Sequence, residues 1–216
     1  MPRESTVSRR ARAVEMLEAL RDVYPEAHCE LAYETPLQLL VATILSAQCT
    51  DARVNKVTPA LFQKCRTATD FAEIDLSELE QLIHSTGFYR AKAKNIQGCC
   101  RGLVERHAGE VPGTLAELTA LPGVGRKTAN VVLAEIFHRC EGVVVDTHVL
   151  RLSRRFKWVK GVQAETVERE LMALLPEAYW LGISHWLIWH GRRRCEARRP
   201  DCAGCEVKGI CPASEA

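Results

Sequence analysis

Apolar positions along this chain recur at the spacing of helix faces. Ala13, Leu17, Leu20 and Tyr24 predict an amphipathic helix that stops before Pro25. From Pro36 to about Gln48 nearly every position is apolar, which predicts a helix buried on most sides; Thr35-Pro36-Leu37-Gln38 opens it as a capping box with proline at the first helical position. Ser77 and Glu80 read as a second box, opening a helix through about His84. Arg90 to His107 carries Ile96, Cys99, Leu103 and Val104 on one face, Thr114 and Glu117 form a third box, and Glu165 to Leu175 is a further amphipathic stretch. Only Gly142 to Asp146 is strand-like, and a lone strand has no partner. The pattern predicts an all-α chain.

A length of 216 residues suits one large domain or two small ones, and 47% hydrophobic with 26% charged residues excludes a disordered or fibrous chain. The longest apolar stretch, Leu37 to Leu45, falls far short of a membrane span, and the opening MPRESTVSRRARAVEML has no signal-peptide core. A soluble cytoplasmic, intracellular protein with no membrane partner is the expectation.

Net charge is only +2, but its basic share is uneven. Arg151, Arg154, Arg155, Lys157 and Lys160 form a run without an acid, and Arg192, Arg193, Arg194, Arg198 and Arg199 form another with Glu196 as its one acid. Ten cysteines are many for a compartment where disulfides are rare. Six are scattered, whereas Cys195, Cys202, Cys205 and Cys211 follow the pattern Cys-x6-Cys-x2-Cys-x5-Cys. Four thiolates so grouped could hold tetrahedral zinc or a [4Fe–4S] cluster.

Two short helical patterns flank Leu121-Pro-Gly-Val-Gly125. Pro122 ends the first, and Gly123 and Gly125 permit left-handed backbone and close approach by another molecule. With a second helix starting near Arg126, the amides of Val124, Gly125 and Arg126 would point outward at its positive end, an anion site made of backbone. Such a contact reads no sequence, as phosphate recognition requires.

Lys127 lies in the first turn of that second helix. The helix dipole and adjacent Arg126 disfavour its ammonium form, burial in a cleft would do so further, and a neutral amine is a nucleophile. Contact with phosphate is the plainer role. Asp146 follows an apolar run, Val143-Val-Val, and either caps the helix starting near Thr147 or has chemical work to do. His148 is near enough in sequence to tune it.

The segment Leu121-Pro-Gly-Val-Gly-Arg-Lys-Thr-Ala resembles the helix–hairpin–helix motif of DNA repair glycosylases. Together with Val-Asp146-Thr-His-Val and the four terminal cysteines, it resembles the endonuclease III family of base-excision repair. Ser46-Ala-Gln48 with Thr50-Asp51 is similar to the family's SAQ-x-TD motif, and Thr86-Gly-Phe-Tyr-Arg-Ala-Lys-Ala to its TG-[apolar]-Y-x-x-KA segment, with Phe88 where some members have leucine.

The resemblance spans roughly residues 12 to 212. It implies a bifunctional DNA glycosylase and abasic-site lyase that removes oxidised pyrimidines, with Lys127 the nucleophile and Asp146 its assistant. Gln48 would fill the gap left by an extruded base, and Phe88 would wedge into the base stack. Leu121, Gly123, Val124, Gly125 and Arg126 would bind the DNA backbone, as would Arg193, with Arg90 and Lys92 as further phosphate contacts. Cys195, Cys202, Cys205 and Cys211 would hold a [4Fe–4S] cluster that orders the basic loop.

The implied architecture is two helical domains. A bundle over 29–140 contains the hairpin (114–138), and a discontinuous cluster domain joins 1–28 to 141–216, with Lys127 and Asp146 meeting at the cleft where DNA runs. The implied partner is double-stranded DNA with a damaged base or abasic site, bound by a monomer near the nucleoid. Two alternatives stand beside this. A monofunctional mismatch glycosylase would lack the lysine, and a non-catalytic DNA-binding protein would need neither Lys127 nor Asp146.

Overall fold

The computed structural model describes residues 4–214. Among them it is all-α, with α1 (Thr6–Val23), α2 (Pro36–Leu45), α3 (Asp51–Lys64), α4 (Ala68–Glu73), α5 (Leu76–Ile83), α6 (Tyr89–His107), α7 (Leu115–Thr119), α8 (Arg126–Phe137), α9 (Thr147–Arg155), α10 (Ala164–Leu174) and α11 (Ile183–Arg193). Short 3₁₀ turns occupy His84–Thr86 and Glu177–Tyr179. Val143–Val145 is not a strand; its apolar side chains are packed as irregular chain, and the Ser184 hydroxyl donates to the Val144 carbonyl at 2.7 Å.

The chain divides into two compact units, one running from Glu30 to Arg139 and the other joining the described residues up to Cys29 with those from Cys140 onward. In the first, α6 packs on α4 and α5, and α2 packs on α8. Eight of the ten residues of α2 are buried, which is why its sequence is apolar on every side. The buried face of α6 is Ala93, Ile96, Cys99, Cys100 and Leu103; Val104 points outward at 39% exposure, so the predicted face is rotated toward Cys100.

The second unit surrounds a core of Met16, Leu17 and Leu20 from α1, Val149 and Leu152 from α9, Val167 and Leu171 from α10, and Ile183 and Leu187 from α11. Phe156 and Trp158 complete it. Burying such side chains stabilises by roughly 1.5–3 kcal/mol each. This core, drawn from both ends of the chain, makes the unit discontinuous.

The helix starts follow side-chain chemistry. Thr35 Oγ1 accepts from the Gln38 amide at 3.2 Å, while Gln38 Oε1 accepts from the Glu34 amide, one residue before the cap. Thr114 caps α7 through the Glu117 amide at 3.3 Å. The box expected at Ser77 is absent. Asp75 caps α5 instead, accepting from the amides of Ser77 and Glu78, because its carboxylate lies one residue before Leu76, the first helical position.

Candidate active site

Ala120 ends α7, and Gly123 turns the chain with φ of 74°. The turn is seated on α6. A Cβ on Gly123 would lie 2.5 Å from that of Asn95, one on Gly98 would lie 3.2 Å from that of Pro122, and one on Gly102 would lie 2.9 Å from Leu121 Cδ2. Asn95, Gly98 and Gly102 are spaced at i, i+3 and i+7, so the sequence NIQGCCRG carries the hairpin's seat on one helix face. That signal was readable but passes unnoticed when glycine inside a helix is counted only as a cost.

Leu121 and Val124 are buried, at 2% and 5% exposure. Their side chains hold the turn, so their part in any ligand contact is through backbone. The Val124 amide is also committed, donating to the Leu121 carbonyl at 3.2 Å. The expected outward trio of amides is thus corrected by one, because the turn closes on itself. Gly125 takes the cap position of α8 with extended backbone (φ −84°, ψ 171°), and no described side chain caps the helix there. The positive end of a helix of 12 residues opens beside Arg126 and Lys127, both exposed.

Exposure of Lys127 corrects the expectation of a buried amine. Asp146, in the other unit, caps α9: Oδ1 accepts from the Val149 amide at 2.7 Å. That uses one oxygen of a half-buried carboxylate. His148 beside it is held below the usual histidine range by burial; Asp146 opposes that shift, and Arg151 and Arg192 reinforce it. Arg151 ties this helix to the cysteine loop, with Nη1 donating to the Cys195 carbonyl at 2.6 Å and Nη2 to the Gly191 carbonyl at 3.2 Å.

Two exposed tips stand out in the first unit. Gln48 (φ 52°) follows the end of α2, and Phe88 (φ 48°) opens α6 directly after Gly87 (φ 71°). Left-handed backbone at side chains other than glycine costs roughly 1–2 kcal/mol each. Phe88 is also 68% exposed, so it is not a core residue. Arg90 is exposed, with its guanidinium 5.4 Å from the Tyr89 ring centre. Lys92 is buried and bonded to backbone carbonyls, which removes it from the expected phosphate contacts.

Cys195, Cys202, Cys205 and Cys211 line one cavity of about 430 Å³, together with Arg155, Arg198 and Lys208. No group of three or more His, Cys, Asp or Glu side chains among the described residues is gathered around a single ion position. A lone zinc would need sulfurs at about 2.3 Å from one centre. Arg155 Nη1 donates to Cys195 Sγ at 3.2 Å, a bond suited to a thiolate. Burial pushes the Cys205 thiol up; a backbone hydrogen bond from Val207 opposes that shift, and Glu206, Cys195 and Cys211 add to it. The loop is braced by Arg194, paired with Asp201 at 2.6 Å and Glu206 at 3.0 Å.

Arg193 is exposed, and its guanidinium lies 3.8 Å from the Trp189 ring centre. His190 is fully buried and pushed down to about 4 by that burial, with Tyr24 Oη 3.2 Å from Nδ1 and Cys205 Sγ 3.8 Å from Nε2. None of the ten cysteines, all among the described residues, forms a disulfide. Cys65, Cys99 and Cys100 are buried, while Cys29, Cys49 and Cys140 are half-buried, so packing accounts fully for only three of the six scattered ones.

Comparison with known proteins agrees with this geometry. Residues 41–177 match the HhH-GPD superfamily of base excision DNA repair proteins. The chain is 56% identical over 209 residues to an endonuclease III of a Synechocystis species, covering 97% of this chain and 95% of the relative. It is 46% identical to endonuclease III of Bacillus subtilis, covering 90% and 89%. Among solved structures, a trapped endonuclease III–DNA covalent intermediate in an estranged-adenine complex superposes with a TM-score of 0.89 at 43% identity, covering 95% and 97%. A thermostable thymine-DNA glycosylase shares the fold alone, at a TM-score of 0.84 and 20% identity over 98% and 99%. The chain belongs to the HhH-GPD superfamily and, within it, to the endonuclease III family. No described helix is long and apolar enough to cross a membrane.

Proposed function

We propose that this protein is a DNA glycosylase with abasic-site lyase activity, acting on double-stranded DNA that carries an oxidised pyrimidine or an abasic site. The observation that carries this reading is the position of Lys127, an exposed amine in the first turn of α8 directly beyond the hairpin. It occurs in a chain 41–56% identical to several endonucleases III and superposable on the one trapped in covalent union with DNA.

In this mechanism the hairpin's Gly125 and Arg126 amides and the α8 dipole hold a phosphate, and Gln48 and Phe88 enter the duplex at the lesion. Lys127 Nζ forms a bond to the sugar C1′ as the C1′–base bond breaks; the base leaves with the bonding electrons and takes up a proton. Opening of the ring at O4′ gives a protonated Schiff base. Loss of a proton from C2′ then expels the 3′ phosphate oxygen, and water releases Lys127. Asp146 stabilises positive charge on the sugar and carries protons, using the carboxylate oxygen that does not cap α9.

Cys195, Cys202, Cys205 and Cys211 would hold a [4Fe–4S] cluster. Bound there, it cross-links the loop, while Arg198 and Arg199 meet the DNA backbone. The protein's place of action is wherever the chromosomal DNA lies, and a monomer suffices for the reaction.

Sodium borohydride should capture the Schiff base as a covalent protein–DNA adduct, and Lys127→Ala should abolish it. Trapping at the normal level by the alanine variant would remove Lys127 from the role. Cleavage confined to abasic duplexes in a panel of lesions would reduce the enzyme to a lyase. A colourless, zinc-containing preparation after anaerobic purification would exclude the cluster.

A further inference from the structure

Lys92 is a buried cation that the proposed chemistry does not use. It is 4% exposed, and its Nζ donates to two backbone carbonyls, those of Leu45 and Thr86, each at 2.8 Å. Taking an ammonium out of water costs several kcal/mol before its hydrogen bonds are counted. Burial accordingly lowers its proton affinity, with only Cys49 nearby acting in the opposite sense. An apolar side chain could fill the same space without that cost, so the position of the two carbonyls is the feature to explain.

Leu45 is the last residue of α2, three positions before Gln48. Thr86 ends the 3₁₀ turn, two positions before Phe88. The backbone amide of Lys92 also donates to the Phe88 carbonyl at 3.1 Å. One residue therefore fastens the root of the Gln48 turn and both sides of the Phe88 tip. Both tips hold left-handed backbone, which persists only where surrounding structure over-determines it.

We infer that Lys92 is a positioning residue that locks the Gln48 and Phe88 tips in register with each other, so that they enter the duplex as a single two-pronged probe. This rests on the reading of Gln48 and Phe88 as the side chains that enter DNA. Lys92 touches no DNA itself. Its loss lets each tip relax, and misplacement by an ångström can cost about a hundredfold in rate.

The test uses three readouts on the full chain: cleavage of a duplex containing thymine glycol, lyase action on a single-stranded abasic oligonucleotide, and fluorescence of 2-aminopurine placed opposite a tetrahydrofuran site. The single strand has no opposite base and no duplex stack, so it does not need the probe. Lys92→Met should lose about ten- to a hundredfold on the duplex and the fluorescence change, yet stay within about twofold on the single strand. Lys92→Arg keeps the charge but reaches further, and should show the same split at a smaller loss. In the Lys92→Met background, Gln48→Ala and Phe88→Ala should add little, because the three act as a unit.

Equal loss on both substrates would make Lys92 a merely structural residue and overturn the proposal, as would full duplex activity in either variant or failure of both to fold. If Gln48→Ala and Phe88→Ala alone leave duplex cleavage and fluorescence unchanged, the underlying reading of the tips falls instead.

Discussion

The hairpin at 121–125 and the cysteine loop at 195–211 are both irregular segments beside basic residues, yet they are held by opposite means. The hairpin is packed: Leu121 and Val124 are buried, and Gly123 fits against Asn95 with no room for a methyl group. Over the loop Cys195 and Val207 are buried in the core and Cys205, Ile210 and Cys211 pack partly against it, while the loop surrounds a cavity and leans on polar ties from Arg151, Arg155 and Arg194. Exposed ion pairs contribute about 0–1 kcal/mol each. The loop is therefore tied largely by polar contacts around a cavity, whereas the hairpin is packed on α6.

That contrast assigns chemistry to the hairpin side and shape to the loop, and it can be broken experimentally. The largest effect is expected from Lys127→Ala, which should bring adduct formation to background while duplex binding and melting temperature stay close to normal. Residual trapping at the normal rate would break the assignment.

Removal of iron, or Cys202→Ser, should come next. Visible absorbance should disappear and limited proteolysis should cut within 195–211, while hydrogen exchange in α7 and α8 stays protected. Deprotection of the hairpin helices would show that the two regions are not independent.

Gly123→Ala should destabilise the protein by about 2–4 kcal/mol, the sum of a left-handed alanine and a methyl group forced against Asn95. Urea unfolding measures it, and a loss under about 0.5 kcal/mol would mean the seat on α6 is soft. The smallest effect concerns pH. Burial pushes the Cys99 thiol up to about 12 and the Cys100 thiol higher still, from an ordinary 9.0. Both therefore stay protonated in the fold while the unfolded chain ionises. The stability they contribute is complete below pH 9 and declines as pH rises beyond it, by about 1.4 kcal/mol per thiol at pH 10. Unfolding at pH 8 and pH 10 should reveal this slope, and Cys99→Ala should flatten it.

Much of the molecule was legible as pattern. Helical spacing located α6 and α10 to within a turn and the end of α1 but not its start at Thr6, and Thr35 and Thr114 act as the caps their sequence suggests. Ser77 misled because an aspartate two residues earlier competes better for the same amides. Lys92 misled more deeply. A lysine in a basic, turn-proximal segment looks like a phosphate contact, and nothing local says that its side chain turns inward to the end of α2. Lys127, whose charge burial in a cleft would further disfavour, is exposed.

By itself, the sequence determined what is local and chemical: the helical periodicity, the turn glycines, the caps, and the four thiols close together in the chain. These depend on residues within a few positions of one another. Only the tertiary structure decided what depends on distant partners: the seat of Gly123 on α6, the commitment of the Val124 amide, and the capture of Lys92 by two carbonyls. The gathering of Cys195 to Cys211 around one cavity belongs with these. Hydrogen bonding and close packing act over a few ångströms in space, and no spacing along the chain encodes which residues those ångströms will join.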